Sequence, residues 1–159
     1  MKDVIAVLEN NAKASPEEIS ELTGRSVPEI QEIIAAAERE KIILGYKAVI
    51  NRDLLYGEEV LALVEIRMTP QHDVGFDGIA QRIARFPEVR SLQLVSGDFD
   101  LSVVIAGNSM QEVASFIAMK LAALEEIKGT TTHFLLKRYK EEGLILNQQE
   151  ERRRLPLSP

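Results

Sequence analysis

The 159 residues contain no cysteine, no tryptophan and only two histidines, His72 and His133. The missing cysteines exclude disulfides and thiolate metal centres. Two isolated histidines are too few ligands for a zinc or iron site, so neither a metal nor a cofactor is expected. No apolar run approaches the roughly 18 to 20 residues that span a bilayer, and Lys2 and Asp3 interrupt the start too early for a secretory apolar segment. A cytoplasmic location without a membrane partner is the expectation. Cationic excess is missing too: the net charge of -6 does not announce a nucleic-acid binder, so any basic surface must be local. What is present is 45% hydrophobic residues against 28% charged, enough apolar material to build a core rather than a disordered chain.

The first third of the chain reads as helices. Val4, Ile5, Leu8 and Ala12 recur at helical spacing. Ser15-Pro16 with Glu18 is a capping box with proline at the first helical position, and Ile19 and Leu22 form the apolar stripe that follows. Thr23-Gly24-Arg25 is a turn with glycine at the left-handed position. Ser26 with Glu29 repeats the capping signature ahead of a third helix, whose inner face is Ile30, Ile33, Ile34 and Ala37. Two short helices around a three-residue glycine turn, behind a leading helix, predict a helix-turn-helix. Ile42 to Asn51, with Gly45 and the alternation of Tyr46, Ala48 and Ile50, predicts a wing or connecting strand.

From Val60 onward the pattern changes. Val60 to Met68 is a strand with Val60, Ala62, Val64, Ile66 and Met68 on one face. A helix of roughly 74 to 85 carries Phe76, Ile79, Ala80 and Ile83. Leu92 to Val95 and Leu101 to Ala106, separated by Ser96, Gly97 and Asp98, predict a hairpin. Ser109 with Glu112 opens another helix, and Thr130 to Tyr139 alternates as a last strand. Strand-helix-strand-strand-helix-strand is the split βαβ of a ferredoxin-like sandwich. The expected α+β organisation is therefore an N-terminal winged helix-turn-helix over 1–52, a linker over 53–59, a ferredoxin-like βαββαβ domain over 60–140 and a tail over 141–159 containing Arg152 to Arg154. A four-stranded sheet with helices on one face, and with Leu61, Leu63, Leu92 and Leu94 at alternating strand positions, needs cover on its other face, so dimerisation is expected.

Gly45-Tyr46 after the third helix and Ser96-Gly97-Asp98-Phe99-Asp100-Leu101 in the hairpin make residues 1 to about 140 similar to the Lrp/AsnC family, the leucine-responsive regulators. The family pattern at the hairpin is glycine, a variable polar residue, an aromatic and an aspartate; Gly97, Asp98, Phe99 and Asp100 match it position by position. The resemblance implies dimers formed through the sheet of the C-terminal domain, octameric assemblies of those dimers, and a small-molecule effector of the amino-acid class bound between subunits. The residues it assigns to that effector are Gly97, Asp98, Phe99 and Asp100, with Thr132 as a further lining candidate. The third helix departs from the family. Ser26, Glu38, Ile43, Gly45 and Tyr46 are retained, but Ile33 stands at the arginine position, Ala35 and Ala36 at the neighbouring basic positions, Ala37 at the leucine, and Lys41 where the family has glycine.

That departure bears on double-stranded DNA as a partner, because lysine and arginine contacts to phosphate supply most non-specific affinity. Residues 1–52 hold seven Lys plus Arg against nine Asp plus Glu. The candidates for base contact are Val27, Glu29, Gln31 and Glu32, beside Ser26, with Gln31 suited to adenine and glutamate to cytosine. Arg25, Arg39, Lys41 and Lys47 flank the helix as candidate phosphate contacts. The expected function is amino-acid-responsive, DNA-binding transcription regulation by an oligomer. The alternative is a metabolite-binding oligomeric module whose helix-turn-helix no longer binds DNA. Asp98 and Asp100 as a catalytic acid-base pair lack a converging histidine, lysine or cofactor loop, so no enzyme is expected.

Overall fold

The computed structural model describes residues 1–55, 59–69 and 75–146. The chain divides into two compact units between Val49 and Ile50, slightly ahead of the boundary expected at residue 52.

The first unit is three helices, α1 (Lys2–Asn10), α2 (Pro16–Thr23) and α3 (Val27–Arg39). Val4, Leu8, Ile19 and Ile30 are their buried core, with Val7, Ala14, Ile33, Ile34 and Ile43 packed around it. The Ser15 capping box closes as expected: its hydroxyl accepts from the Glu18 amide and the Glu18 carboxylate accepts from the Ser15 amide at 2.8 Å. Between α2 and α3, Gly24 is left-handed and the Ser20 hydroxyl donates to the Arg25 carbonyl at 2.6 Å, which holds the turn against α2.

At α3 the expected capping box does not form. Ser26 makes no side-chain cap bond, and the Glu29 carboxylate that would complete the box is bonded to Arg25. The helix ends instead in a Schellman motif, with the Ile42 amide bonded to Ala37 O at 2.9 Å and the Lys41 amide to Glu38 O at 3.2 Å. This motif needs a left-handed residue after the cap, and Lys41 takes it at φ +60°, at the position where the family has glycine.

The wing or connecting strand expected over 42–51 is corrected by the structure: residues 44–51 form no regular element within this chain. The alternation is there, but a strand also needs a neighbour for its amides and carbonyls, and among the described residues none pairs with it. Leu44 is 88% exposed and Tyr46 and Ile50 are exposed as well.

The second unit opens with the short helix α4 (Arg52–Leu55) and continues β1 (Val60–Met68), α5 (Asp77–Ala84), β2 (Val89–Leu94), β3 (Leu101–Gly107), α6 (Met110–Phe116) with a π-helical turn Ile117–Leu121, and β4 (Ile127–Phe134). The four strands form an antiparallel sheet in the order β2-β3-β1-β4, the topology expected of the split βαβ. Ala62, Val64 and Ile66 of β1 and Leu101, Val103 and Ile105 of β3 face Ile79 and Ile83 of α5 and Val113, Phe116, Ile117 and Leu121 after β3. Phe86 and Phe116 meet edge to face at 5.3 Å.

Register decides two further points. Leu92 pairs with Val103 and Leu94 with Leu101, so both lie on the helix-covered side; only Leu61 and Leu63, opposite Ala106 and Val104, lie on the helix-free face. The expectation that all four share one open face is therefore corrected. β4 begins three residues earlier than expected, through a bulge that sets Met68 against Ile127, and ends at Phe134 opposite Ala62, five residues short of the expected Tyr139, with the Leu135 amide still bonded to Leu61 O at 2.9 Å. Residues 140–145 are not a structureless tail: β5 (Lys140–Glu141) and β6 (Leu144–Ile145) pair as a small hairpin. Arg152 to Arg154 lie outside the described residues.

Candidate functional site

The hairpin turn between β2 and β3 is built from the backbone outward. Gly97 adopts φ +137°, a conformation that side chains resist, and the turn closes with the Val95 amide on Asp100 O at 2.9 Å. Asp100 then fastens the turn to β1: its amide donates to Ile66 O at 2.9 Å and its carboxylate accepts from the Met68 amide at 2.8 Å. That second bond lies just past the last β1–β3 pair, Ile66 with Leu101, where the Met68 amide on the β3 side of β1 would otherwise lack a ladder partner. Arg67 reaches across to donate to the Asp98 carbonyl at 3.0 Å. Asp100 is thus occupied in holding backbone, a role its place in the sequence motif does not reveal.

Asp98 differs from Asp100. Its side chain is exposed, and among the described residues neither its carboxylate nor the amides of Gly97, Asp98 and Phe99 make a hydrogen bond. The turn therefore presents one unpaired carboxylate and a short run of unpaired amides, with Phe99 half-buried beside them. An ammonium wants the first and a carboxylate wants the second. Thr132 is not brought to this turn within one chain. It pairs with Val64, four residues along β1 from Met68, or roughly 13 Å at the rise of a strand.

On the helix-free face, Leu61, Leu63 and Val104 are half-buried. Glu65 and Arg67 continue the same row of β1, and His133 lies 3.3 Å from Glu65. His72 lies outside the described residues.

In the first unit, α3 turns Glu29, Gln31, Glu32 and Arg39 outward, with Ser26 exposed at its cap and Val27 half-buried. Lys41 and Lys47 are exposed beyond its end. Arg25, just ahead of the cap, donates from Nε to Asp3 at 2.6 Å and from Nη1 to Glu29. The guanidinium holds the Asp3 carboxyl far below the usual carboxylate range. At the other end, the Tyr46 hydroxyl donates to Glu38 at 2.9 Å, and burial together with that carboxylate raises its phenol. Glu38 and Tyr46, retained from the family pattern, thus meet each other. The Asp3–Arg25 tie was hidden in sequence, since 22 residues separate the pair.

Comparison with known proteins places these features. The family model of the Lrp/AsnC ligand binding domain matches residues 61–145. Over 158 residues, 99% of this chain and 95% of the relative, the chain is 42% identical to the uncharacterized HTH-type transcriptional regulator YugG of Bacillus subtilis. It is 26% identical to the leucine-responsive regulatory protein of Haemophilus influenzae, covering 90% of this chain and 86% of that one. Among solved structures, the transcriptional regulator NMB0573 of Neisseria meningitidis in complex with L-Met has a like fold. Its TM-score is 0.71 at 20% identity, over 91% of this chain and 94% of that one.

Proposed function

This chain belongs to the Lrp/AsnC family of transcriptional regulators, and we propose that it is a DNA-binding regulator whose second unit forms a homodimer and binds a small amino acid at the 96–100 turn, between subunits. Its relatives are regulators and not enzymes. The observation that carries the effector reading is the division of labour between the two aspartates: Asp100 ties the turn to β1, and Asp98 leaves a carboxylate beside unpaired amides. In this reading Asp98 accepts from the ammonium and the amides of Gly97 to Phe99 receive the carboxylate. Phe99 and residues of a second subunit, Thr132 among the candidates, would supply the side-chain pocket. The Neisseria regulator of like fold was solved with L-Met, which supports the amino-acid class.

The homodimer forms through the helix-free sheet face, where Leu61, Leu63 and Val104 want cover. Residues α2 to α3 serve as the helix-turn-helix, with Gln31 and Glu32 toward base edges and Arg39, Lys41 and Lys47 toward phosphate. Several heads on one oligomer compensate for weak single contacts.

A melting-temperature panel of the twenty amino acids on the full chain tests the effector. At least one should raise the midpoint, by an amount equivalent to about 2.7 kcal/mol at a hundredfold excess over Kd. If none does, the turn is only a turn. The second reading, a metabolite-binding module without DNA binding, is favoured by one observation: no Lys or Arg lies between Arg25 and Arg39, and Arg25 is already paired. Anisotropy titration on the upstream region of its own gene decides between them, since no binding at low salt, with or without amino acids, selects the module.

A further inference from the structure

Arg25 is the only Lys or Arg between Lys13 and Arg39, and it sits immediately before the cap of α3. In a helix-turn-helix that end of the recognition helix approaches the duplex. Here two of the five donors of the guanidinium are taken by carboxylates from two different helices, Asp3 of α1 and Glu29 of α3. Asp3 also takes the N-terminal ammonium of Met1 at 3.0 Å, so the two cations and two anions of the cluster cancel, and an approaching phosphate meets no net positive charge at the place where the sequence puts its cation.

We propose that Asp3 and Glu29 form a carboxylate clamp on Arg25 that lowers the protein's affinity for DNA. Two further observations support a clamp over a chance surface pair. The Glu29 carboxylate reaches Arg25 and not the Ser26 amide, so α3 lacks the reciprocal bond that Glu18 returns to Ser15 one helix earlier. The two contacts also come from two different helices, one local on α3 and one on α1 across 22 residues of chain, so the guanidinium is held rather than brushed. Exposed ion pairs are individually weak, so substitution of the acids should open the clamp without unfolding the unit.

The inference rests on the DNA-binding reading above. Its test compares the full-length wild-type chain with D3N/E29Q and with D3N/E29Q/R25A by anisotropy on a duplex of its own upstream region, across a salt series, with melting curves of all three. The double variant should bind more tightly, with a log K against log salt slope steeper by about 0.9 for each head that gains a phosphate contact. The triple variant should lose that gain. Unchanged affinity of the double variant, with only a lowered melting point, would make the cluster a structural tie and overturn the clamp. A gain that survives R25A would also overturn it, since the removed negative charge alone would then explain the effect. Absence of binding by all three chains would overturn the DNA-binding reading and the clamp together, whereas binding by wild type without gain in the variant removes the clamp alone.

Discussion

The carboxylate of Asp100 accepts a hydrogen bond from the Met68 amide at 2.8 Å, joining the start of β3 to the end of β1 at the point where the β1–β4 ladder bulges. Two aspartates of one short motif are thereby given different work. Asp100→Ala should lower basal stability by roughly 1–3 kcal/mol, because a half-buried backbone amide loses its acceptor. Asp98→Ala should leave basal stability within about 0.5 kcal/mol and abolish the amino-acid-dependent rise in melting temperature. Denaturation curves with and without the responsive amino acid separate the two.

Gly97 in the turn before β3 and Gly107 at its end should fail for different reasons. At Gly97 nothing lies within 4 Å of an added Cβ, but φ is +137°, so Gly97→Ala costs more than about 1 kcal/mol through backbone strain. At Gly107 the backbone is permissive, but the Cβ would stand 2.8 Å from Val113 Cγ2 in the core. Gly107→Ala should cost about 1–3 kcal/mol by overpacking. The double variant Gly107→Ala/Val113→Ala should recover part of that cost and Gly97→Ala/Val113→Ala none, as read by urea midpoints.

Lys41 occupies a left-handed position that glycine holds more easily. Lys41→Gly should raise the stability of the first unit by about 1 kcal/mol. If DNA is bound, the same change should flatten the salt dependence by removing one candidate phosphate contact. Thermal unfolding and anisotropy read the two effects separately.

Pairing through the helix-free face predicts that the chain is a dimer at micromolar concentration. Leu63→Glu places a carboxylate two residues from Glu65 on the same face of β1 and should shift the population to monomer. Equilibrium sedimentation of both chains checks this, and a wild-type monomer at that concentration would remove the homodimer from the proposal.

Much of the fold was legible because its signals are local. The Ser15 box closes as its residues require, Val60 to Met68 alternate as they fold, and the order of strands and helices leaves few topologies for the sheet. Composition set the other limits, since a chain without cysteine and with two histidines has little to build a metal centre from. Tertiary structure decided whatever depended on a partner distant in sequence. Ser26 and Glu29 have the same spacing as Ser15 and Glu18, but Arg25, held also by Asp3, takes the carboxylate that the reciprocal half of a capping box uses. Residues 42–51 alternate like a strand and remain irregular, because backbone pairing needs a neighbour and the described residues supply none there. Leu92 and Leu94 alternate just as Leu61 and Leu63 do, and only the register between strands assigns the pairs to opposite faces. Asp98 and Asp100 are the same residue type two positions apart; the β1–β3 ladder ends at Ile66 and Leu101 and leaves the Met68 amide without a strand partner, and whichever carboxylate reaches it becomes part of the scaffold.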